Sequence, residues 1–145
     1  MAKTFDELII WQKARELTNS VYEMMSDFKD WGFKDQIQRA SVSIMNNIAE
    51  GFDSGTNAKF CYFLNVAKGS CSEVRSMLFL CEDLHFCTKE ERIRLQSMTK
   101  QINTGIVKMI LHINNQQQNS PIQQPIHPVT SLTQSLSNPA TQSPL

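Results

Sequence analysis

The chain has 145 residues, which is enough for one domain with its own hydrophobic core. Its 14 Lys and Arg residues balance its 14 Asp and Glu residues, and this zero net charge argues against a protein that coats nucleic acid by bulk electrostatics. The first ten residues carry three charges, and no later stretch approaches the ~20 apolar residues of a membrane span, so we expect neither a signal peptide nor a membrane anchor.

The first predicted helix opens with Thr4 and Glu7, which have the spacing of a capping box. Apolar residues then recur every three or four positions, as in the seam of a helix packed nearly parallel to its neighbours. These residues are Ile10, Ala14, Leu17, Val21, Met24 and Phe28. Residues 30–32, which are Asp-Trp-Gly, predict the end of this helix.

The second predicted helix, residues 34–50, carries two parallel stripes. The apolar stripe consists of Ile37, Ala40, Ile44 and Ile48, and the polar stripe consists of Gln36, Arg39, Ser43, Asn47 and Glu50. Because solvent satisfies polar residues in any order, an ordered polar line beside an apolar face indicates a specific network. Gly51 is expected to follow the helix with a left-handed backbone.

Two roles are open for this polar line. It could recognise a partner, or it could form an internal network with Ser70 and Glu73 of the third helix, including a buried Arg–Glu pair, that fixes the helix register or a subunit interface. We favour the internal network, because polar groups beside a core are usually satisfied within the protein.

The third predicted helix follows a turn at residues 52–56 and repeats the same apolar rhythm. Its seam consists of Phe60, Leu64, Ala67, Cys71, Val74, Leu78 and Cys81. The four cysteines of the chain follow no zinc-like spacing, and three of them lie on this helix, where free cysteine behaves as a small hydrophobe. We therefore expect a reduced, cytoplasmic protein.

Glu82 and His85 have the Glu-x-x-His spacing of di-iron bundles, and Cys81 and Cys87 lie close to them in the sequence. A di-iron site needs a second such pair and further inward glutamates, and neither of the other two histidines has a glutamate at that spacing. A histidine that caps a helix end is commoner, so we expect no metal and no cofactor. With no phosphate-binding loop and no nucleophile motif, we also expect no enzymatic activity.

The fourth predicted helix follows a break at residues 85–87 and starts with a second capping box, formed by Thr88 and Glu91. Its apolar face consists of Leu95, Met98, Ile102, Ile106, Met109 and Ile113. Short connections between the four helices predict an antiparallel up-down-up-down bundle.

The fourth helix also carries the main charge asymmetry of the chain, with five basic and two acidic residues between positions 89 and 108. The basic residues spread over roughly 200° opposite the apolar face. They are the candidate nucleic-acid-binding residues Lys89, Arg92, Arg94, Lys100 and Lys108, and an ordinary solvated face is the alternative. Lys13, Arg15, Lys59 and Lys68 could extend the patch, but the sequence alone does not place them.

The composition changes near residue 113. All five prolines lie in the last 25 residues, whereas every Asp, Glu, Lys and Arg precedes His112. A segment rich in Gln, Pro and Ser buries too little apolar surface to offset its ordering entropy. We predict a four-helix bundle over residues 1–113 and a disordered tail over residues 114–145, with a short partner-binding motif around residues 122–129 as the alternative to a dispensable extension.

Several apolar residues lie away from the helix seams, among them Trp11, Tyr22, Met25, Met45, Phe63, Met77 and Phe79. A monomer of this size would leave some of them exposed. Exposed aromatic and methionine side chains are typical of protein interfaces, so we expect a homo-oligomer.

Three segments resemble the four-helix-bundle proteins encoded within 23S rRNA intervening sequences. They are Leu-Ile-Ile-Trp-Gln-Lys-Ala at residues 8–14, Gln-Ile-Gln-Arg-Ala-Ser-Val-Ser-Ile-Met-Asn-Asn-Ile-Ala-Glu-Gly at residues 36–51, and Phe-Leu-Asn-Val-Ala-Lys-Gly-Ser-Cys-Ser-Glu at residues 63–73. The resemblance covers residues 5–113. Met45 stands where members usually have proline, so any kink made by that proline should be absent here.

The resemblance implies a small bacterial protein that forms closed rings, often pentamers. It also implies kinship with accessory proteins that work beside reverse transcriptases in diversity-generating retroelements, where the ring contacts nucleic acid and the polymerase. We therefore predict a non-catalytic, ring-forming adaptor that binds RNA or DNA, or a nucleic-acid enzyme such as a reverse transcriptase. The alternative is a protein-interaction scaffold with no direct nucleic-acid contact, which the zero net charge favours.

Overall fold

The computed structural model describes residues 1–120 and contains, within that range, four α-helices, one short 3-10 helix and no strand. The 3-10 helix spans Phe5–Glu7, and the α-helices are α1 (Ile9–Met24), α2 (Trp31–Asp53), α3 (Asn57–Asp83) and α4 (Lys89–Asn119). Each helix packs against the next, and α1 also packs against α4, which closes the bundle. The predicted all-α, antiparallel four-helix bundle is confirmed.

The core consists of one apolar stripe from each helix, largely as the seams predicted, but at the end of α1 the off-seam Met25 is fully buried while the seam residue Met24 is only partly buried. Its large, fully buried side chains include Leu17, Val21, Met25, Ile37, Ile44, Ile48, Leu64, Val74, Leu78, Leu95, Ile102 and Ile106. Within the described residues, every buried side-chain nitrogen and oxygen has a hydrogen-bond partner. The core therefore carries no unpaired polar group whose burial would need a functional explanation.

The start of α1 differs from the prediction. The Thr4 side chain makes no capping bond, and the Glu7 carboxylate instead accepts a hydrogen bond from the Lys3 backbone N–H at 2.8 Å. Leu8 is buried and extended, with φ −71° and ψ 126°, so α1 begins only at Ile9. Burial of Leu8 beside the core thus interrupts the helix that the capping-box spacing predicted.

Phe28 lies outside α1, contrary to the predicted seam, because the helix ends at Met24. Its ring packs edge-on against Phe86 with centroids 3.9 Å apart, and Phe86 in turn contacts Phe33 at 5.3 Å. These three rings come from the α1–α2 connection, α2 and the α3–α4 turn. They close one end of the bundle.

α2 is longer than predicted at both ends. The Asp30 carboxylate accepts a hydrogen bond from the Phe33 N–H at 3.1 Å, so residues 31 and 32 form the first helical turn rather than a break. Gly51 lies inside the helix, where an added Cβ would stand 2.8 Å from the Phe63 Cβ. This glycine lets α2 approach α3, and the left-handed backbone expected there occurs instead at Gly55, with φ 83°.

The turn between α3 and α4 confirms the predicted capping box. The Thr88 hydroxyl accepts from the Glu91 N–H at 3.1 Å, and the Glu91 carboxylate accepts from the Thr88 N–H at 2.7 Å. Before it, the Phe86 N–H donates to the Cys81 carbonyl and the His85 N–H donates to the Glu82 carbonyl, with His85 at φ 58°. These two bonds form a Schellman motif that ends α3.

α4 continues to Asn119, six residues beyond the predicted end at Ile113. The side chains of residues 114–119 are all exposed, so this last segment extends beyond the core. The rest of the predicted tail, including the motif proposed around residues 122–129, lies outside the described residues.

Candidate nucleic-acid interface

The predicted polar line does reach α3 at two points. The Ser43 and Ser70 hydroxyls lie 2.8 Å apart, and the Asn47 amide donates to the Ser43 hydroxyl at 3.0 Å and to the Ser43 carbonyl at 2.8 Å. Seven residues before Ser43 on α2, the Gln36 amide lies 3.5 Å from a Glu73 carboxylate oxygen. The Ser43–Ser70 bond links α2 to α3 beside the core, the Asn47 bonds stay within α2, and the Gln36–Glu73 contact joins the two helices at the exposed surface.

The remaining members of the line do not join this network. Arg39 is exposed and pairs with Asp35 of its own helix at 2.8 Å, and Glu50 is exposed near the α2–α3 turn. The expected buried Arg–Glu pair therefore does not form, because both side chains project to solvent at the edge of the α2 polar stripe. An exposed i,i+4 ion pair contributes little to stability.

A second polar link was not apparent from the sequence. Thr18 is buried on α1, and its hydroxyl lies 2.9 Å from the Ala14 carbonyl and 3.1 Å from the Ser41 carbonyl of α2. The position of Thr18 next to the seam residue Leu17 is its only sequence signal. From the sequence alone, a threonine there is as consistent with a core residue that makes no interhelical bond as with a link to α2.

Arg92 belongs to the α3–α4 interface rather than to an open basic surface. Its side chain is only 15% exposed, its Nε pairs with the Glu82 carboxylate, and one Nη donates to the Gln96 side chain at 2.8 Å. The guanidinium also lies over the Phe79 ring, 5.1 Å from the centroid. These contacts occupy the guanidinium within the protein, so Arg92 has fewer donors left for the phosphate contacts that the sequence analysis predicted.

Two other predicted basic residues lie among carboxylates. Arg94 lines a cleft of about 510 Å³ that it shares with Glu23, Asp27 and Glu91. Lys89 lines a neighbouring cleft of about 740 Å³, whose walls also include Glu82, Asp83 and Glu91. Nearby carboxylates lower the electrostatic potential at both side chains, so this end of α4 is a poor site for an anionic ligand.

Lys100 and Lys108 are placed differently. They line a shallow cleft of about 350 Å³ between α1 and α4, and the third cation in that cleft is Lys13 of α1. The other lining residues are Ser97, Gln101, Thr104 and Gly105, so no carboxylate contributes to the cleft. We call Lys13, Lys100 and Lys108 the basic groove.

Two contacts hold the basic groove together. The Lys13 ammonium donates to the Gln101 side-chain oxygen at 3.2 Å, which positions it beside α4. An added Cβ on Gly105 would stand 2.5 Å from the Ile10 Cγ2, so the glycine permits the close approach of α1. The nearest acidic residue along α1 is the exposed Glu16, one turn from Lys13.

Lys13 is one of the four additional basic residues that the sequence could not place, and the structure puts it beside α4. Arg15 lies over the Trp11 ring at 5.7 Å, and Lys59 lines a cleft at the α2–α3 turn with Glu50 and Asp53. Lys13 follows the seam residue Ile10 by three positions. Its position beside the lysines of α4 could be predicted only by also assuming the α1–α4 contact that a four-helix bundle implies.

The outer face of α3 exposes apolar side chains. Tyr62, Val66 and Leu80 are 64%, 37% and 46% exposed, and Tyr62 and Leu80 lie 18 residues apart, which is five full helical turns. Between them, an added Cβ on Gly69 would meet no atom within 4 Å. We call Tyr62, Val66, Gly69 and Leu80 the α3 outer face.

The residues of the metal alternative are engaged otherwise. Glu82 binds Arg92, and His85 is exposed in the Schellman turn. Within residues 1–120, no group of three or more His, Cys, Asp or Glu side chains is arranged to hold a metal ion. None of the four helices in that range has a stretch long and apolar enough to cross a membrane.

The fold and its surface define a class: an antiparallel four-helix bundle with a small basic groove and a polar α2–α3 seam. By this seam we mean the contact between the two helices that includes Ser43, Ser70 and Gly51. The chain belongs to the family of 23S rRNA-intervening sequence proteins, whose family model matches residues 6–108. That match confirms the resemblance carried by the three sequence segments. No curated protein matches the chain significantly.

A crystal structure at 1.70 Å resolution has the same fold. It is that of a protein of unknown function from the S23 ribosomal protein family of Bacteroides thetaiotaomicron. The two chains share 24% sequence identity with a TM-score of 0.66, and the match covers 70% of this chain and 98% of the other. At that identity the likeness establishes the fold alone.

Proposed function

We propose that the protein is a non-catalytic, self-associating helical adaptor that binds RNA or DNA through the basic groove. The observation that carries the proposal is the convergence of Lys13, Lys100 and Lys108 in one cleft without a carboxylate. Flexible ammonium groups suit phosphate contacts that are independent of sequence. The net charge of zero then reflects acidic surfaces elsewhere on the bundle.

One groove with three lysines would bind a nucleic-acid backbone weakly. Self-association multiplies it, because each further groove on the same strand binds intramolecularly and raises the overall affinity. The α3 outer face supplies the exposed apolar area for such an assembly, and it lies on the side of the bundle away from the α1–α4 contact. A closed ring, as the family resemblance implies, would repeat the groove around its axis.

The test is binding of fluorescent single-stranded RNA and DNA oligonucleotides by the full chain at several salt concentrations. We expect affinity to fall with salt, and the triple variant Lys13→Glu, Lys100→Glu, Lys108→Glu to bind at least tenfold more weakly. Its salt slope should be shallower by about 2, since each lost phosphate contact removes about 0.7 from the slope for single strands.

The matched control carries the same charge change away from the groove. Lys3→Glu, Lys29→Glu and Lys59→Glu alter three exposed lysines that do not line the groove. The control should retain most of the affinity. Equal losses in the two triple variants would show that net charge, and not the groove, governs binding.

A protein-interaction scaffold is the second candidate, and the α3 outer face favours it. In that case a nucleic-acid enzyme such as a reverse transcriptase would contact the assembly through protein alone. Light scattering of the wild-type chain at low salt, with absorbance recorded at 260 and 280 nm, separates the two. An oligomer that carries no nucleic acid and binds none of the oligonucleotides would favour the scaffold.

A further inference from the structure

The end of the bundle that holds the C-terminus of α4 contains an apolar groove. α1 and α4 run antiparallel, with Ile10 beside Gly105 and Lys13 beside Gln101, but α1 begins only at Ile9. The last turns of α4 therefore extend past the start of α1, where the N-terminal segment takes the place of a full helix. The groove at this position has a volume of about 490 Å³ and is lined by α4, the α2–α3 turn and the N-terminal segment.

The walls of this groove are largely apolar. The Phe52 and Phe60 rings meet edge-on with centroids 5.9 Å apart, and Met109 and Ile113 line the groove from α4. None of the described residues that line it is Asp, Glu, Lys or Arg, whereas the clefts described above all contain such residues. We call Leu8, Phe52, Phe60, Met109 and Ile113 the end groove.

The sequence that follows α4 matches the end groove in chemistry. No Asp, Glu, Lys or Arg occurs after Lys108, and Ile122, Ile126 and Val129 place three branched apolar side chains within eight residues. An uncharged segment can enter an uncharged apolar groove without leaving a charge unpaired there. Its apolar side chains, which water surrounds elsewhere, would be buried against apolar walls.

The end of α4 places this segment within reach of the end groove. α4 ends at Asn119, Ser120 is extended with φ −72° and ψ 126°, and the next residue is Pro121, which lacks the N–H that a further helical turn needs. Met109 lies about 15 Å from Asn119 along the helix. The stretch from Ser120 to Ile126 spans up to ~23 Å when extended. A chain that reverses direction at Ser120 can therefore bring Ile126 back to the groove.

We propose that residues 122–129 of the same chain bind in the end groove, with Ile122, Ile126 and Val129 against its apolar walls. The covalent link to α4 gives this segment a high effective concentration at the groove, which favours it over the same segment of a second copy. The contact ties the last turns of α4 to the α2–α3 turn. It does not depend on nucleic-acid binding.

The first experiment places a photo-crosslinking side chain in the full chain as Ile126→p-benzoylphenylalanine, with Leu136→p-benzoylphenylalanine as the matched control. A denaturing gel separates products of one chain from products of two, and trypsin with mass spectrometry maps them. Because no Lys or Arg follows Lys108, both probes stay on the peptide 109–145, whereas Phe52 and Phe60 lie on the peptides 40–59 and 60–68.

We expect single-chain products in which the peptide 109–145 is joined to the peptides 40–59 and 60–68. The probe at position 126 should give about fivefold more of them than the probe at position 136, because the product yield follows the population in which the probe lies at the groove.

The second experiment keeps natural side chains and measures hydrogen exchange in the full chain. The variant Ile122→Ser, Ile126→Ser, Val129→Ser changes only residues beyond α4, and far-UV circular dichroism verifies that the helices are intact. Amides of residues 113–119 should exchange about threefold faster in this variant, because loss of the contact lets the end of α4 open more often. The matched control Leu132→Ser, Leu136→Ser should exchange like the wild type.

Three outcomes would overturn the proposal. Crosslinked products of two chains alone would assign the end groove to a second copy. Equal yields from the probes at positions 126 and 136 would remove the specificity of the segment, and unchanged exchange at residues 113–119 in the triple variant would show that the segment does not cover the end of α4. Single-chain crosslinks to the groove, together with faster exchange in the triple variant but not in its control, would establish the contact.

Discussion

The α2–α3 seam and the α1–α4 contact both rest on a glycine, but they serve different purposes. At the first, Gly51 lets Phe63 approach closely, and the Ser43–Ser70 bond joins the same two helices eight residues earlier on α2. At the second, Gly105 admits Ile10 and the space above the contact is lined by lysines. The comparison teaches that both contacts use a glycine for close helix packing and differ in the residues that flank it. Under the proposed function, only the lysine-lined α1–α4 contact is open to a partner.

The largest expected effect on stability comes from adding a methyl group at the two glycines where the helices approach closely. Gly51→Ala and Gly105→Ala should each lower the free energy of unfolding by about 1–2 kcal/mol, because overpacking outweighs the gain in helix propensity. Gly69→Ala is the matched control: its Cβ meets nothing within 4 Å, so it should be neutral or stabilising by up to about 1 kcal/mol. Urea denaturation measures all three.

The two glycine variants should differ in function. Gly105→Ala moves α1 away from α4 and separates Lys13 from Gln101, so it should weaken oligonucleotide binding as well as stability. Gly51→Ala should leave binding unchanged at temperatures where the protein is folded. If Gly51→Ala weakened binding equally, the α1–α4 contact would not be the specific support of the groove.

The sequence predicted the α2–α3 seam far better than the basic groove, for a physical reason. Ser43 and Asn47 stand at helical spacing on one short segment, so their common face follows from the period of the helix alone. Lys13 and Lys108 are 95 positions apart in the chain. Their proximity follows only from helix packing, and the choice among several basic residues required knowing which carboxylates lie nearby.

Helix ends show the same limit: the sequence predicts local bonds well and tertiary contacts poorly. The Thr88–Glu91 capping box was predicted correctly because both of its bonds are local. The same spacing at Thr4 and Glu7 failed because burial of Leu8, a tertiary effect, interrupts the helix there. The Gly51 prediction failed similarly, since contact with Phe63 explains that glycine and a left-handed backbone does not.

An effect of comparable size separates two arginines that the sequence treated alike as functional candidates. Arg92→Met leaves the partly buried Glu82 carboxylate without its partner and should cost about 1–2 kcal/mol of stability. Arg39→Met removes only an exposed pair with Asp35 and should change stability by no more than about 0.5 kcal/mol. Thermal and urea unfolding of both variants provide the measurement.

Binding assays on the same two arginine variants sharpen the comparison with the basic groove. Both remove one positive charge, so general electrostatics predicts equal, small losses of oligonucleotide affinity. Arg92→Met should show no more than that loss. If Arg92→Met lost more oligonucleotide affinity than Lys100→Met, Arg92 would belong to the binding surface. That result would contradict its assignment to the α3–α4 interface.

The smallest expected effect concerns the Ser43–Ser70 bond itself. Ser43→Ala and Ser70→Ala should each cost about 1 kcal/mol, because each leaves a hydroxyl with one partner fewer beside the core. The double variant should cost less than the sum, with a coupling of about 0.5–1 kcal/mol. Strict additivity would mean that the two hydroxyls act independently. The polar line would then owe its order to solvent exposure at the bundle edge, and the α2–α3 seam would be held by Gly51 and its apolar neighbours alone.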